Sequence, residues 1–209
     1  LNDSNTMLNH VFNPATDINT STGVITINEH NFHTGERLVY TQDSGPIGIA
    51  ATHLNARIVS EAISCAGIQV PDTIPESIEN AVLLAANNTV VIMGGTVPGH
   101  TTDNVAITMA CALDADRCLI ATNVSHVHSA DPRTNPDAVR FEQMSHDELR
   151  EIVGPPIHRS AGGSGVIDPI GADRARKAGL PLAVLDGRHM ERLHACLCGE
   201  SFEGTTIEG

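Results

Sequence analysis

Aromatic residues are almost missing from this chain: there is no tryptophan, one tyrosine and four phenylalanines among 209 residues. A core must therefore be filled by Val, Ile, Leu and Ala, the side chains that packed parallel strands and helices favour. Lysine is nearly missing too. Lys177 is the single one, and every other basic residue is an arginine. With a formal net charge of −13, nothing here would neutralise a run of phosphates, which excludes a nucleic-acid binder. An acidic, lysine-poor surface fits a salt-adapted host as well as a merely soluble protein. No window approaches the length of a membrane span, and these residues hold no signal-peptide pattern. The cysteines are few and odd in number: Cys65, Cys111, Cys118, Cys196 and Cys198. They lack the spacing of a small disulfide scaffold, so they read as reduced thiols in a cytoplasmic chain. Cys196-x-Cys198 is not the Cys-x-x-Cys spacing of metal sites, and the pair reads as small buried hydrophobes. What the chain does have is 41% hydrophobic residues, at a length that suits one α/β domain, or one domain plus an appendage.

Two textures follow each other. Residues 1–46 are rich in Asn, Thr, Asp and Ser. Within them, residues 23–28 alternate like a half-buried strand, residues 37–40 look like a partner, and residues 31–35 would turn between them. This segment reads as a small β-hairpin of unknown origin. Residues 47–209 alternate helix and strand. Thr52 can cap a helix whose Leu54, Ile58, Val59, Ala62 and Ile63 share one face, and Gly67 would end it. A second helix is predicted near 76–86, after Pro75. Val90-Val-Ile-Met93 is an apolar run that reads as a buried strand. A helix over 103–113, a strand over 118–121 and a short helix opened by the capping box Ser145-His-Asp-Glu148 come next. Asp168-Pro169 opens another helix that closes near Gly179, then a strand over 182–185, a helix near 191–197 and a last strand over 204–207. Strands and helices in this order predict a mostly parallel α/β sheet covered on both faces.

The chemistry concentrates in Gly94-Gly-Thr-Val-Pro-Gly-His-Thr-Thr-Asp103, between a predicted strand and a predicted helix. In an open α/β sheet this is where ligands bind. Glycines let backbone approach an anion closely, the threonines offer hydroxyls, and the start of a helix favours phosphate. Asp103 is an acid in a setting suited to an anion, which makes sense if it holds a metal or orients cationic groups. The plain alternative is a glycine-rich turn with a Thr or Asp helix cap, and the residues alone leave both open.

That segment is similar to the uridylate-binding segment of archaeal-type uridylate kinases, members of the amino acid kinase superfamily. Further segments resemble the same family in the same order. They are Ile47-Gly-Ile-Ala-Ala-Thr-His-Leu-Asn-Ala-Arg-Ile-Val59, then Ile120-Ala-Thr-Asn-Val124 with Ser129-Ala-Asp-Pro132 and Asn135-Pro-Asp137, then Ala161-Gly-Gly-Ser-Gly-Val-Ile-Asp-Pro169, Leu185-Asp-Gly187 and Glu203-Gly-Thr-Thr-Ile207. The resemblance implies a three-layer α/β/α fold and phosphoryl transfer from ATP to UMP, with Mg2+, by a homo-oligomer, usually a hexamer. It places UMP on Gly95, Thr96, Pro98, Gly99, His100 and Thr101. It places ATP beside Thr122, Asn123, His128 and Asp131. Asp103 would orient the catalytic cations, and Arg174 is the basic residue nearest a missing one.

The departures bear on activity. The family begins with a strand leading into a glycine-rich phosphate loop, and no Gly-Gly pair occurs here before Gly94. Where the family carries a lysine after Asp-Pro-x-x-Ala, this chain has Asp173, with Arg174 next to it. Loss of such a stabiliser lowers a rate by about two to three decades. A helix turns about 100° per residue, so Arg174 points elsewhere. The family's Asp-Gly and Tyr beside adenine are replaced by Ser125, His126 and His128. His126 and His128 on an extended segment would share a face and could form a ligand pair, but surface histidines in an acidic chain are the expected reading, and no metal site is assigned. Three functions are carried forward: an active UMP kinase, a relative that binds a nucleotide or oxyanion without turnover, and an assembly protein using the fold as a scaffold.

Overall fold

The computed structural model describes residues 18–19, 24–25, 46–97, 100–157 and 166–209. The chain divides into two compact units, Leu1–Thr41 and Gln42–Gly209. In the first, β1 (Ile18–Asn19) pairs antiparallel with β2 (Val24–Ile25). The strand expected over 23–28 is thus present in part, but its observed partner lies upstream. Residues 31–40, the expected turn and partner, lie outside the described residues.

The second unit is built on a four-stranded sheet. β3 (Cys118–Thr122) runs parallel to β7 (Leu182–Asp186), with Cys118 opposite Leu182 and Thr122 opposite Asp186. β8 (Thr205–Glu208) adds antiparallel to β7, and β6 (Gln143–Ser145) adds parallel to β8, giving the order β3-β7-β8-β6. All five residues of β7 are buried. The two-residue strand period explains how. Leu182 and Val184 join Ile120, Ile107, Leu149 and Ala175 in one cluster, while Ala183 and Leu185 join Leu119, Leu193 and Cys196 in another. The sheet therefore has a core on each face. α3 (Thr102–Ala112), α4 (His146–Val153) and α5 (Pro169–Ala178) supply one, and α6 (Met190–Leu197) supplies the other. This is the predicted three-layer α/β/α arrangement.

Local sequence explains the helix ends. Ser145 and Glu148 form the reciprocal capping box that opens α4. Asp168 accepts from the Ile170 and Gly171 amides at the start of α5, and Gly179 ends it in the left-handed conformation at φ 64°. A minor antiparallel pair, β4 (Val127–His128) with β5 (Arg140–Phe141), was not predicted. It is tied to β8 by Thr205, whose hydroxyl donates to the Phe141 carbonyl and accepts from the Val127 amide.

Three expectations fail in the first part of this unit. α1 runs over Pro46–Cys65, so Thr52 lies inside the helix and does not cap it; its hydroxyl donates back to the Ile49 carbonyl at 2.7 Å. The face predicted to be buried is exposed: Leu54, Ile58 and Val59 are 63%, 59% and 47% accessible, and α1 buries Ala56 and Ser60 instead. The run Val90–Met93 is not a strand. It has no ladder partner among the described residues, and the peptide groups that follow it are captured by side chains of α1. α2 (Ile78–Ala85), capped by Ser77, precedes this run. No helix among the described residues is long and apolar enough to cross a membrane.

Candidate functional site

Gly94 and Gly95 are both buried against α1. The Gly95 amide donates to the Thr52 hydroxyl at 2.6 Å, and the Gly95 carbonyl accepts from the His53 ring Nε2 at 2.8 Å. Beyond them Thr96 is half-buried and Val97 exposed; Pro98 and Gly99 lie outside the described residues. His100 is exposed, its amide donating to the Val97 carbonyl. Thr101 then caps α3, accepting from the Asn104 amide. The predicted Thr cap is therefore real, and it sits at the end of the segment predicted to meet an anion.

Asp103, in the first turn of α3, is the chemically distinctive residue. Burial raises its carboxyl pKa, the Asp168 backbone N–H donating to it opposes the rise, and the nearby Asp168 carboxylate adds to it. The first turns of α3 and α5 therefore converge. Gly171 permits this, since a Cβ there would lie 3.0 Å from the Ile107 side chain and 3.3 Å from the Asn104 Cα. Two helix N-termini, each with positive dipole ends, thus share one locality with two carboxylates. Such a place suits an anion that arrives with a cation. Sequence reasoning did not pair Asp168 with Asp103, since 65 positions separate them; the Asp-Pro helix start was its only visible mark.

Across the carboxyl end of the sheet, Thr122 ends β3 beside Asp186. The Thr122 carbonyl accepts from the Gly187 amide, and the Asn123 carbonyl accepts from Arg188. Arg188 also grips Asp186 with two nitrogens, at 2.9 and 2.6 Å, and holds its carboxyl well below the usual carboxylate range. Asp131 is likewise gripped by Arg133, at 3.0 and 2.9 Å, and its pKa is lowered chiefly by that side chain. His128 donates from Nδ1 to the His126 carbonyl. His126 is buried at 2% exposure, not a surface residue as expected, and burial lowers its pKa. The rings of His126 and His128 meet edge to face with centroids 6.5 Å apart. A groove of about 820 Å³ opens elsewhere, between Arg117, Arg140, Glu142, Phe202 and Glu203, and His126 links it to this loop.

On α5, Arg174 is exposed and Asp173 is buried, as the 100° step requires. Asp173 accepts from Lys177 at 2.7 Å and from Arg176 at 3.3 Å, and its pKa is lowered, first by Lys177. The single lysine of the chain is therefore paired with the acid that stands where the resemblance expects a lysine.

Comparison with known proteins agrees with this architecture. The model of the amino acid kinase family matches residues 11–186. A uridylate kinase of Methanococcus maripaludis is 40% identical over 161 residues, which is 77% of this chain and 69% of that one. A uridylate kinase of Natronomonas pharaonis is 37% identical over 158 residues, covering 76% and 68%. Among solved structures, uridylate kinase from Archaeoglobus fulgidus superposes with a TM-score of 0.66 at 37% identity, covering 77% of this chain and 70% of the other. With the family match spanning most of its length, the chain belongs to the amino acid kinase family, and the relatives it aligns with there are uridylate kinases.

Proposed function

We propose that this protein is a uridylate kinase-like enzyme that passes the terminal phosphoryl group of ATP to a phosphate oxygen of UMP, giving ADP and UDP. The observation that carries the reading is the convergence of the α3 and α5 first turns at Asp103, beside the glycine segment held by α1. Phosphoryl transfer needs positioning and neutralisation of spreading charge more than covalent chemistry. The acceptor phosphate would lie on Thr96, His100 and Thr101 with Pro98 and Gly99, where the α3 dipole and threonine hydroxyls face it. Gly95 serves this site through its shape, since its amide is already committed to Thr52.

Magnesium arriving with ATP fits the donor set. Asp103 and Asp168 are hard oxygen ligands, and magnesium is usually held by one or two carboxylates plus substrate phosphates. Asp103 interacts with the Asp168 carboxylate, the Asp168 backbone N–H and the buried Cys118 thiol, and its desolvated charge is the kind a cation relieves. When bound, magnesium would neutralise phosphate oxygens. On the donor side, Thr122, Asn123 and the His128 ring would meet the nucleotide. Asp131 would shape the loop through Arg133 and not touch ATP.

A second reading, UMP binding without turnover, is favoured by Asp173, which puts a paired acid where the resemblance expects a cation. One experiment separates the two. ADP release is measured with ATP, magnesium and UMP, beside calorimetric titration of UMP alone. ADP that appears only when UMP is present supports the kinase. UMP binding with no ADP supports the second reading, and no UMP binding removes both.

A further inference from the structure

We propose that Thr52 and His53 of α1 are positioning residues that set the acceptor segment for UMP, an inference that rests on the acceptor reading above. Both polar groups of Gly95 are taken by two consecutive side chains of one helix, 43 and 42 positions away in sequence. The Thr52 hydroxyl spends its proton on the Ile49 carbonyl at 2.7 Å, so its oxygen is left to accept the Gly95 amide at 2.6 Å. The direction of both bonds is thereby fixed. A carbonyl can only accept, so the His53 proton in the second bond is on Nε2. The two bonds stand in for a ladder, which residues 90–95 do not make among the described residues, and they fix where the chain leaves α1 toward Thr96.

The glycines have the same explanation. A Cβ on Gly94 would lie 2.7 Å from His53 Cδ2 and 2.9 Å from the His53 amide nitrogen, and one on Gly95 would lie 3.1 Å from the Thr52 hydroxyl. Backbone atoms cannot move aside as a flexible side chain can. The paired glycines therefore allow close approach to α1, not to a ligand. The anion is met only beyond them, by residues whose position α1 dictates. A misplacement of about 1 Å at such a loop can cost orders of magnitude in a transfer reaction.

The test is calorimetric titration of UMP, with melting temperature measured alongside, on wild type, Thr52→Val, Thr52→Ser, His53→Ala, His53→Gln and the exposed control Asn55→Ala. Loss of one hydrogen bond that orients the segment is expected to weaken UMP by about tenfold in Thr52→Val and in His53→Ala. Thr52→Ser keeps the hydroxyl and His53→Gln keeps a side-chain N–H donor. Both should stay within about threefold of wild type, as should Asn55→Ala. A fall in melting temperature with unchanged UMP affinity would mean that the two residues only support the fold, and would overturn the proposal. If Thr52→Val does not fold, the contrast between His53→Ala and His53→Gln decides. Wild type that binds no UMP sinks the acceptor reading and the inference with it. Wild type that binds while every variant binds equally well sinks the inference alone.

Discussion

Acids at the two ends of this site are treated in opposite ways. Asp103 sits in the first turn of α3, desolvated, with another acid nearby and its pKa raised. Asp131, Asp173 and Asp186 are each clasped by an arginine or lysine of their own loop or helix, and each has its pKa lowered. A carboxylate kept with its own cation holds structure and has little left to offer a ligand. A carboxylate kept half-buried without one costs stability, and it is retained where an incoming cation completes it. Under the proposed function, this difference marks Asp103 as the acid kept for a charged visitor, whereas Asp131, Asp173 and Asp186 are folded into the scaffold.

The contrast breaks if removing the unpaired acid does nothing. Asp103→Asn is expected to lower kcat for UMP-dependent ADP release by about two to three decades, with melting temperature unchanged or raised, because a desolvated charge disappears. A variant that keeps its rate would show that Asp103 is merely tolerated. The contrast sharpens if a paired acid can be turned back into a cation. Asp173→Lys should raise the rate by about tenfold, part of what such a stabiliser contributes. It should also lower melting temperature, since Lys177 and Arg176 would then face a like charge. Unchanged turnover in that variant, with the fold intact, would count against the kinase reading.

How much of this could be read from the chain depends on how local the cause is. β3 and β7 were legible because short apolar runs bounded by turn residues have few other uses in an α/β chain. α4 and α5 were legible because Ser145, Glu148, Asp168 and Gly179 carry their capping chemistry with them. The run Val90–Met93 has the composition of a strand and is not one, because a strand is a property of two segments. α1 misled for a similar reason: its period is helical, but the period does not say what covers Leu54 and Ile58. In the site, Gly94 to Asp103 stood out by composition. The partners that give it shape did not, because Thr52, His53 and Asp168 are set against it only by the fold.

A smaller effect tests whether the acceptor half is as tightly built as these distances imply. Gly94→Ala forces a methyl group against the His53 backbone. Overpacking of this kind typically costs about 1–3 kcal/mol. Chemical denaturation should show that loss, and UMP affinity should fall in parallel. Gly67→Ala is the matching control, because nothing lies within 4 Å of a Cβ there and the penalty is only that of φ +82°. If the two variants unfold alike, the contact with α1 is looser than the bonds at Gly95 indicate.

The smallest effect concerns Arg176, which the paired half shares among several groups. It reaches Asp173 at 3.3 Å and Asp147 at 3.7 Å, and it lies close enough to His146 to lower that ring's pKa. His146 is buried at 2% exposure, and among the described residues neither ring nitrogen has a partner at normal hydrogen-bond distance. Burial is the larger cause of its lowered pKa, Arg176 the next, with Asp147 and the Leu180 backbone opposing. A histidine depressed in the folded state takes its proton first in the unfolded chain. Stability is therefore complete above the unfolded value of about 6.5 and declines as pH falls through it. His126, buried and lowered in the same direction, adds to the slope. Melting curves between about pH 7.5 and 5.5 should fall more steeply for wild type than for His146→Gln, which cannot take the proton. Arg176 already lowers His146 while shared between two acids, so Asp173→Asn should steepen the slope, and an unchanged slope would mean that Asp173 does not screen the ring. A slope that steepens in Asp173→Asn would show that the acid had been shielding His146 from the arginine, so that pairing on α5 protects more than the pair itself.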